Sequence, residues 1–179
     1  MMSLTSVFWL LVIIFAVIGA MRGWAKELLV TFSVILSIFI LSVMERYVPP
    51  IRDFLTSNNG TSQFWTRSLV VIILVFFGFQ TPNIPKFSGA RFARERLSDT
   101  LLGLVLGAVN GFLLVGTLWY FLELSNYPYP KFITAPDPNN PLGASAIRLL
   151  PYLAPRWLGI PAIFFAVALF SLFVLVVFI

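Results

Sequence analysis

The 179-residue chain contains no cysteine and no histidine. The first absence excludes disulfides, thiolate-ligated iron–sulfur clusters and thiol nucleophiles, and with them any inference about redox compartment. The second removes the commonest metal ligand and general base, so His-ligated haem, most zinc sites and Ser-His-acid triads go together. Charge is also scarce: 11% of residues are charged and 59% are hydrophobic, against about 25% and about 45–50% in soluble domains. Such a chain cannot cover a water-facing surface, and the solvent for most of it is lipid. The formal net charge of +5 is spread over connecting segments, which fits attraction to anionic headgroups and gives no support to nucleic-acid binding. Neither an enzymatic reaction nor a cofactor is expected. The expected partners are membrane lipid and either other membrane subunits or further copies of the chain.

What is present is a series of apolar runs. They predict an all-α, polytopic transmembrane protein of four to five spans, with a short interfacial helix and a Pro-rich loop. Residues 4–21 form a first run followed at once by Arg22 and Lys26. Positive charge after the run argues for a retained span, since a cleaved signal peptide carries its charge before it. Residues 28–44 form a second, short span with Ser33 and Ser37 four apart on one face, and Ala16 and Ala20 offer a similar narrow strip on the first. Pro49 and Pro50 close this segment, and residues 57–62 read as a polar turn.

The third run, residues 69–79, would reach only about half of a ~30 Å hydrocarbon layer. It is either a re-entrant or strongly tilted segment, or it extends back through Trp65 and Phe64. Extension brings Arg67 into the helix, with its stem along the helix and its head snorkelling to the interface. Pro82 and Pro85 then break the chain before residues 87–97, where Arg91, Arg94, Glu95 and Arg96 alternate with Phe92, Ala93 and Leu97 as in a short interfacial helix. The fourth span covers residues 101–124 and ends on Trp119, Tyr120 and Phe121, an aromatic belt. Pro128, Pro130, Pro136, Pro138 and Pro141 mark an irregular surface connection, with one or two amphipathic turns over residues 144–153. A fifth apolar segment, residues 157–179, follows. The division is therefore a four-helix membrane domain at 1–124, a Pro-rich extramembrane loop at 125–156 and a C-terminal transmembrane helix at 157–179.

Basic residues divide evenly between the two sides. Those of the first and third connections (Arg22, Lys26, Lys86, Arg91, Arg94 and Arg96) are dense and close to helix ends, where the positive-inside bias acts. This places those connections in the cytoplasm and the N-terminus outside.

Two motifs stand out. Asp99 at the membrane edge is followed by Gly103, Gly107 and Gly111, four apart and hence on one helix face. In lipid no hydrophobic drive brings two helices together, and a face without side chains lets backbones approach and gain dispersion contacts. At the first turn, Arg22 and Lys26 suit headgroup phosphates, Gly23 permits the reversal, and Glu27 lies in the first turn of the second helix, where an acid complements the dipole. Arg22 and Glu27 read either as parts of a simple hairpin turn or as an ion pair that gates or docks something. Asn110, a strongly polar side chain deep in a span, reads as interhelical glue. Asn59-Gly60-Thr61 matches a glycan acceptor by chance, and the 19 Phe residues read as lipid-facing side chains.

An Arg-Gly-aromatic-x-Lys/Arg-Glu turn between two short spans, followed by Asp-x-x-Leu-Gly-x-x-x-Gly-x-x-x-Gly, resembles the colicin V production protein family (CvpA). The residues are Arg22, Gly23, Trp24, Lys26 and Glu27, then Asp99, Leu102, Gly103, Gly107 and Gly111. The resemblance covers residues 7–124, and the stretch from Leu150 through Pro151 to Pro155 is similar to the proline-containing tail of some members. Thr5 and Ser6 stand where members often carry an acid, and Asn110 where a basic residue often precedes the third glycine. The segment 157–179 goes beyond the usual four helices. The resemblance implies a bacterial inner-membrane protein linked by the family name to toxin production or export, with no established reaction.

Three functions are thus weighed: a non-enzymatic export or envelope-maintenance factor acting through helix packing and partner contacts; an accessory subunit of a larger respiratory or photosynthetic complex; and a channel or carrier. The third has least support, because ionisable residues that would line a path are nearly absent from the spans.

Overall fold

The computed structural model describes residues 3–57, 59–80 and 92–178. Ser3 opens the first helix, α1 (Leu4–Arg22), its hydroxyl accepting from the Ser6 N–H at 3.1 Å. Gly23 then ends α1 and starts α2 (Trp24–Tyr47) at φ +86°, a left-handed conformation that favours glycine, so the chain reverses in one residue. A short helix, α3 (Pro49–Ser57), follows directly. Pro49 and Pro50, expected to close a segment, instead open a helix, because a proline at a helix start lacks only an N–H that would have no intrahelical partner.

The third span is α4 (Gly60–Phe79), whose 20 residues reach about 30 Å. The apolar run does extend backwards past Arg67, and the described helix is continuous. Arg67 does not snorkel: it is buried, and its Nε donates to Glu45 Oε1 of α2 at 2.8 Å. An acid within reach on the neighbouring helix supplies the counter-charge that lets the guanidinium stay there.

The longest helix is α5 (Phe92–Leu124), 33 residues and about 50 Å, more than the hydrocarbon layer requires. Of the expected interfacial helix, residues 92–97 are the first turns of α5, with no break before the span; the remainder, with Pro82, Pro85 and Arg91, lies outside the described residues. The expected aromatic belt is only partly one. Trp119 and Phe121 are buried, and the Trp119 indole N–H donates to the Tyr127 hydroxyl at 3.3 Å. Burial, with help from the Glu123 charge, raises the Tyr127 phenol above its usual range, against the pull of the Trp119 bond.

The Pro-rich connection is more regular than its composition suggests. Asn140 caps α6 (Pro141–Leu149) by accepting from the Leu142 N–H at 3.0 Å, and Pro141 sits in the first turn as a helix starter. A 3-10 turn (Leu150–Tyr152) and α7 (Ala154–Trp157) complete it. The last helix, α8 (Ala162–Phe178), begins beyond Trp157 and Pro161 and spans 17 residues, about 25 Å. Among the described residues, α1, α2, α4 and α5 are long and apolar enough to cross a membrane, while α8 is shorter.

Helix α2 is the axis of the bundle, packing on α4, α5 and α8. Val30, Val34, Ile38 and Leu41 of α2 meet Val71 and Val75 of α4, Leu113 and Phe121 of α5 and Ile163 of α8 in one buried cluster. A second cluster joins Phe8 and Val12 of α1 to Trp119 and Leu122 of α5, and Ala146 and Leu153 of the connection close over it. Phe8 packs edge-on against Phe112, centroids 5.4 Å apart.

Candidate functional site

Helices α1 and α5 run antiparallel with their backbones in contact. Gly103, Gly107 and Gly111 all face α1 and are buried. A Cβ on Gly107 would stand 2.9 Å from the Gly19 Cα, one on Gly103 3.1 Å from the Gly23 Cα, and one on Gly111 3.0 Å from the Val12 Cα. Real side chains do not tolerate such approaches to backbone, so the glycines are what permit the crossing. Gly19, four residues before Gly23, is the opposing half of the seam. The narrow strip of α1 expected at Ala16 and Ala20 is centred instead on Gly19, whose four-residue spacing to Gly23 is the signal in the sequence that points to it.

Asn110 projects from the next face of α5, towards α2. Its Nδ2 donates to the Glu27 backbone carbonyl at 2.9 Å and to Glu27 Oε2 at 2.8 Å. Its Oδ1 accepts from the Thr31 hydroxyl at 2.7 Å, and that hydroxyl also lies 3.0 Å from the Glu27 carbonyl. Glu27, Thr31 and Asn110 are all buried. The remaining carboxylate oxygen, Oε1, receives Nη1 of Arg22 at 2.6 Å. Arg22 reaches further: its Nη2 donates to the Phe79 carbonyl at 3.1 Å, and the guanidinium lies 4.5 Å from the Phe79 ring centroid. That carbonyl belongs to the last turn of α4, whose carbonyls lack intrahelical partners and carry the negative end of the dipole.

One carboxylate thus joins four helices. Arg22 brings α1 and the end of α4, Glu27 is on α2, and Asn110 brings α5. Asp99, also on α5, adds a further tie, because Gly23 has no side chain with which to cap α2. The Asp99 carboxylate, one turn ahead of the glycine seam, accepts from the Trp24 N–H at 3.0 Å and supplies the cap in trans.

Of the residues singled out from sequence, Arg22, Gly23, Glu27, Asp99, Gly103, Gly107, Asn110 and Gly111 are gathered at this end of the bundle. Lys26 is half-buried in the same turn and enters none of these bonds. Ser33 and Ser37 lie elsewhere on α2. Ser33 faces Gly78 of α4 and bonds the Leu29 carbonyl at 2.9 Å, while Ser37 is buried and donates to the Val34 carbonyl at 2.7 Å. Thr31 and Phe79 carry no signal of their own in the sequence, and a single chain offers no pattern that would pair them with Asn110 and Arg22 across a bundle.

Chemically the cluster is closed on itself. Both oxygens of Glu27 are engaged, and its neighbours are an amide, a hydroxyl and a guanidinium. Among the described residues no group of three His, Cys, Asp or Glu side chains is placed to hold a metal ion. No curated protein and no solved structure matches the chain. The family model for colicin V production protein does, over residues 4–135, which takes in α1 to α5 with the hairpin network and the glycine seam. The chain therefore belongs to the colicin V production protein family.

Proposed function

We propose that this multi-pass membrane protein acts without catalysis, as a factor of the bacterial cytoplasmic membrane that supports toxin production, toxin export or envelope maintenance through helix packing and partner contacts. The observation that carries this reading is the engagement of Glu27. Its oxygens are taken up by Arg22 and Asn110 in joining four helices, which suits a scaffold held in one shape and leaves little for a reaction. Residues 1–124 form the working body in this proposal, with the connection at 125–156 and the terminal helix as additions to it.

The test is complementation. A strain lacking the protein should secrete less of a peptide toxin and be more sensitive to detergent. The wild-type protein and Leu172→Phe, which alters an exposed position of α8, should restore both phenotypes, and Gly107→Leu should restore neither. Normal secretion and an intact envelope in the deletion strain would overturn the proposal.

Orientation has its own test, because a chain without cysteine reports cleanly through any single cysteine introduced. With the N-terminus outside, Phe132→Cys, at a highly exposed site in the loop beyond α5, should react with a membrane-impermeant maleimide on intact spheroplasts. Met21→Cys, at the opposite end of α1, should react only after permeabilisation. The reverse pattern would invert the topology.

An accessory-subunit reading draws on α8. This helix packs chiefly on α2 and leaves Phe165, Leu169, Leu172 and Val176 exposed. Native mass after gentle detergent extraction separates the two readings, since a subunit would leave the membrane with its complex.

A further inference from the structure

The Glu45–Arg67 pair lies at the other end of the bundle from the hairpin network. Arg67 is seven residues, about 10 Å, into α4, and Glu45 stands in the last turn of α2. Both line a cavity of about 120 Å³ walled by Ile38, Leu41, Phe121 and Leu158, with Leu124 at its edge. The Arg67 side chain is 7% exposed. Among the described residues it spends only two of its five N–H donors, Nε on Glu45 Oε1 at 2.8 Å and Nη1 on Gln63 Oε1 at 3.4 Å. Glu45, its side chain 34% exposed at the mouth, has one oxygen engaged and one without a protein partner there. A second pair stands at the rim, where Arg156 donates to both oxygens of Glu123 at 3.1 and 3.2 Å and lies 5.4 Å over the ring of Tyr120, which also lines the cavity.

The cavity therefore presents one cation and one anion, Arg67 and Glu45, among largely apolar walls. A purely anionic headgroup would find the spare donors of Arg67 and be repelled by Glu45, and a simple cation would meet the reverse. A group carrying phosphate and ammonium side by side satisfies both at once. The cavity is far too small for a whole lipid, and its position near helix ends matches the boundary between headgroups and acyl chains. We propose that this cavity seats the amino-phosphate headgroup of a zwitterionic membrane lipid. The phosphate lies on the open donors of Arg67, the ammonium on the unengaged oxygen of Glu45, and the acyl chains leave past Leu124 along the bundle surface.

Full-length protein, delipidated in detergent and followed by native mass spectrometry, tests this against phosphatidylethanolamine and phosphatidylglycerol of identical acyl chains. One phosphatidylethanolamine should bind per chain at least about tenfold more tightly than phosphatidylglycerol. Ser42→Phe fills the cavity from α2 without touching either charge, and the hydroxyl it removes bonds only its own helix, at the Ile38 carbonyl. It should abolish the preference while the protein stays folded. Glu45→Gln removes the ammonium partner and leaves a surplus cation, so it should turn the preference towards phosphatidylglycerol. Equal binding of the two lipids to the wild-type protein would overturn the proposal. So would a phosphatidylethanolamine preference that Glu45→Gln leaves unmoved, an outcome that decides the matter even if Ser42→Phe does not fold.

Discussion

Gly107→Leu is expected to separate α1 from α5 and to leave a protein that does not assemble in detergent. A Cβ alone at this position would stand 2.9 Å from the Gly19 Cα and 3.1 Å from its nitrogen. Those atoms are backbone inside a helix, and they cannot rotate away as a side-chain tip can. The helices must move apart, and the second buried cluster, where Phe8 and Val12 of α1 meet Trp119 and Leu122 of α5, opens with them. The cost should therefore reach or exceed the upper end of the roughly 1–3 kcal/mol typical of overpacked cores. Gly116→Ala on the same helix provides the contrast. Its new methyl would meet the Leu153 Cδ2 at 3.3 Å, the flexible end of a side chain, and the change should be nearly silent. Size-exclusion profile and thermal unfolding in mild detergent measure both. A Gly107→Leu protein that elutes and melts like wild type would refute the seam.

The second large effect is expected at Glu27. Glu27→Leu leaves the Arg22 guanidinium, 20% exposed, without its carboxylate and takes from the buried Asn110 one of its two acceptors on that residue. Removing one partner of a buried pair costs about 3–5 kcal/mol, whereas replacing both by apolar groups is often close to neutral. Glu27→Leu should thus be strongly destabilising in a denaturant titration in mixed micelles, and the double variant with Arg22→Met should recover most of the loss. Asn110→Leu removes three interhelical bonds of the same network, each worth about 0.6–2 kcal/mol in membranes, and should be destabilising by at least about 2 kcal/mol. A single Glu27→Leu variant within about 1 kcal/mol of wild type would show that the buried pair does not hold the hairpin.

How far the sequence foretold this arrangement depends on the range of the interaction concerned. The spans were readable because an apolar run of spanning length has few other uses, and the glycine face was readable because the four-residue period lies within one helix. What those faces meet is a matter of pairing between distant segments. Nothing local in the chain brings Asn110 to Glu27, 83 positions away, or the Phe79 carbonyl to Arg22, 57 positions away. The burial of Arg67 was misjudged for the same reason: a lone basic residue in a span snorkels unless an acid awaits it on another helix, and Glu45 was visible only as a residue near the end of α2. The prolines misled in a different way. Pro49 and Pro141 were read as interruptions, yet each stands at the start of a helix, the one part of a helix whose backbone makes no demand on the missing proton.

The bare contact between Gly19 and the Gly103–Gly107 pair has a mechanical consequence. Advancing α5 against α1 by a single residue along its own screw, about 1.5 Å with a turn of about 100°, would drive a side chain into space that only naked main chain can occupy. The two rods are keyed together like a shaft in its collar, able to travel as one strut but not to slip. Any movement within this protein must therefore be sought between that strut and the helices leaning on it.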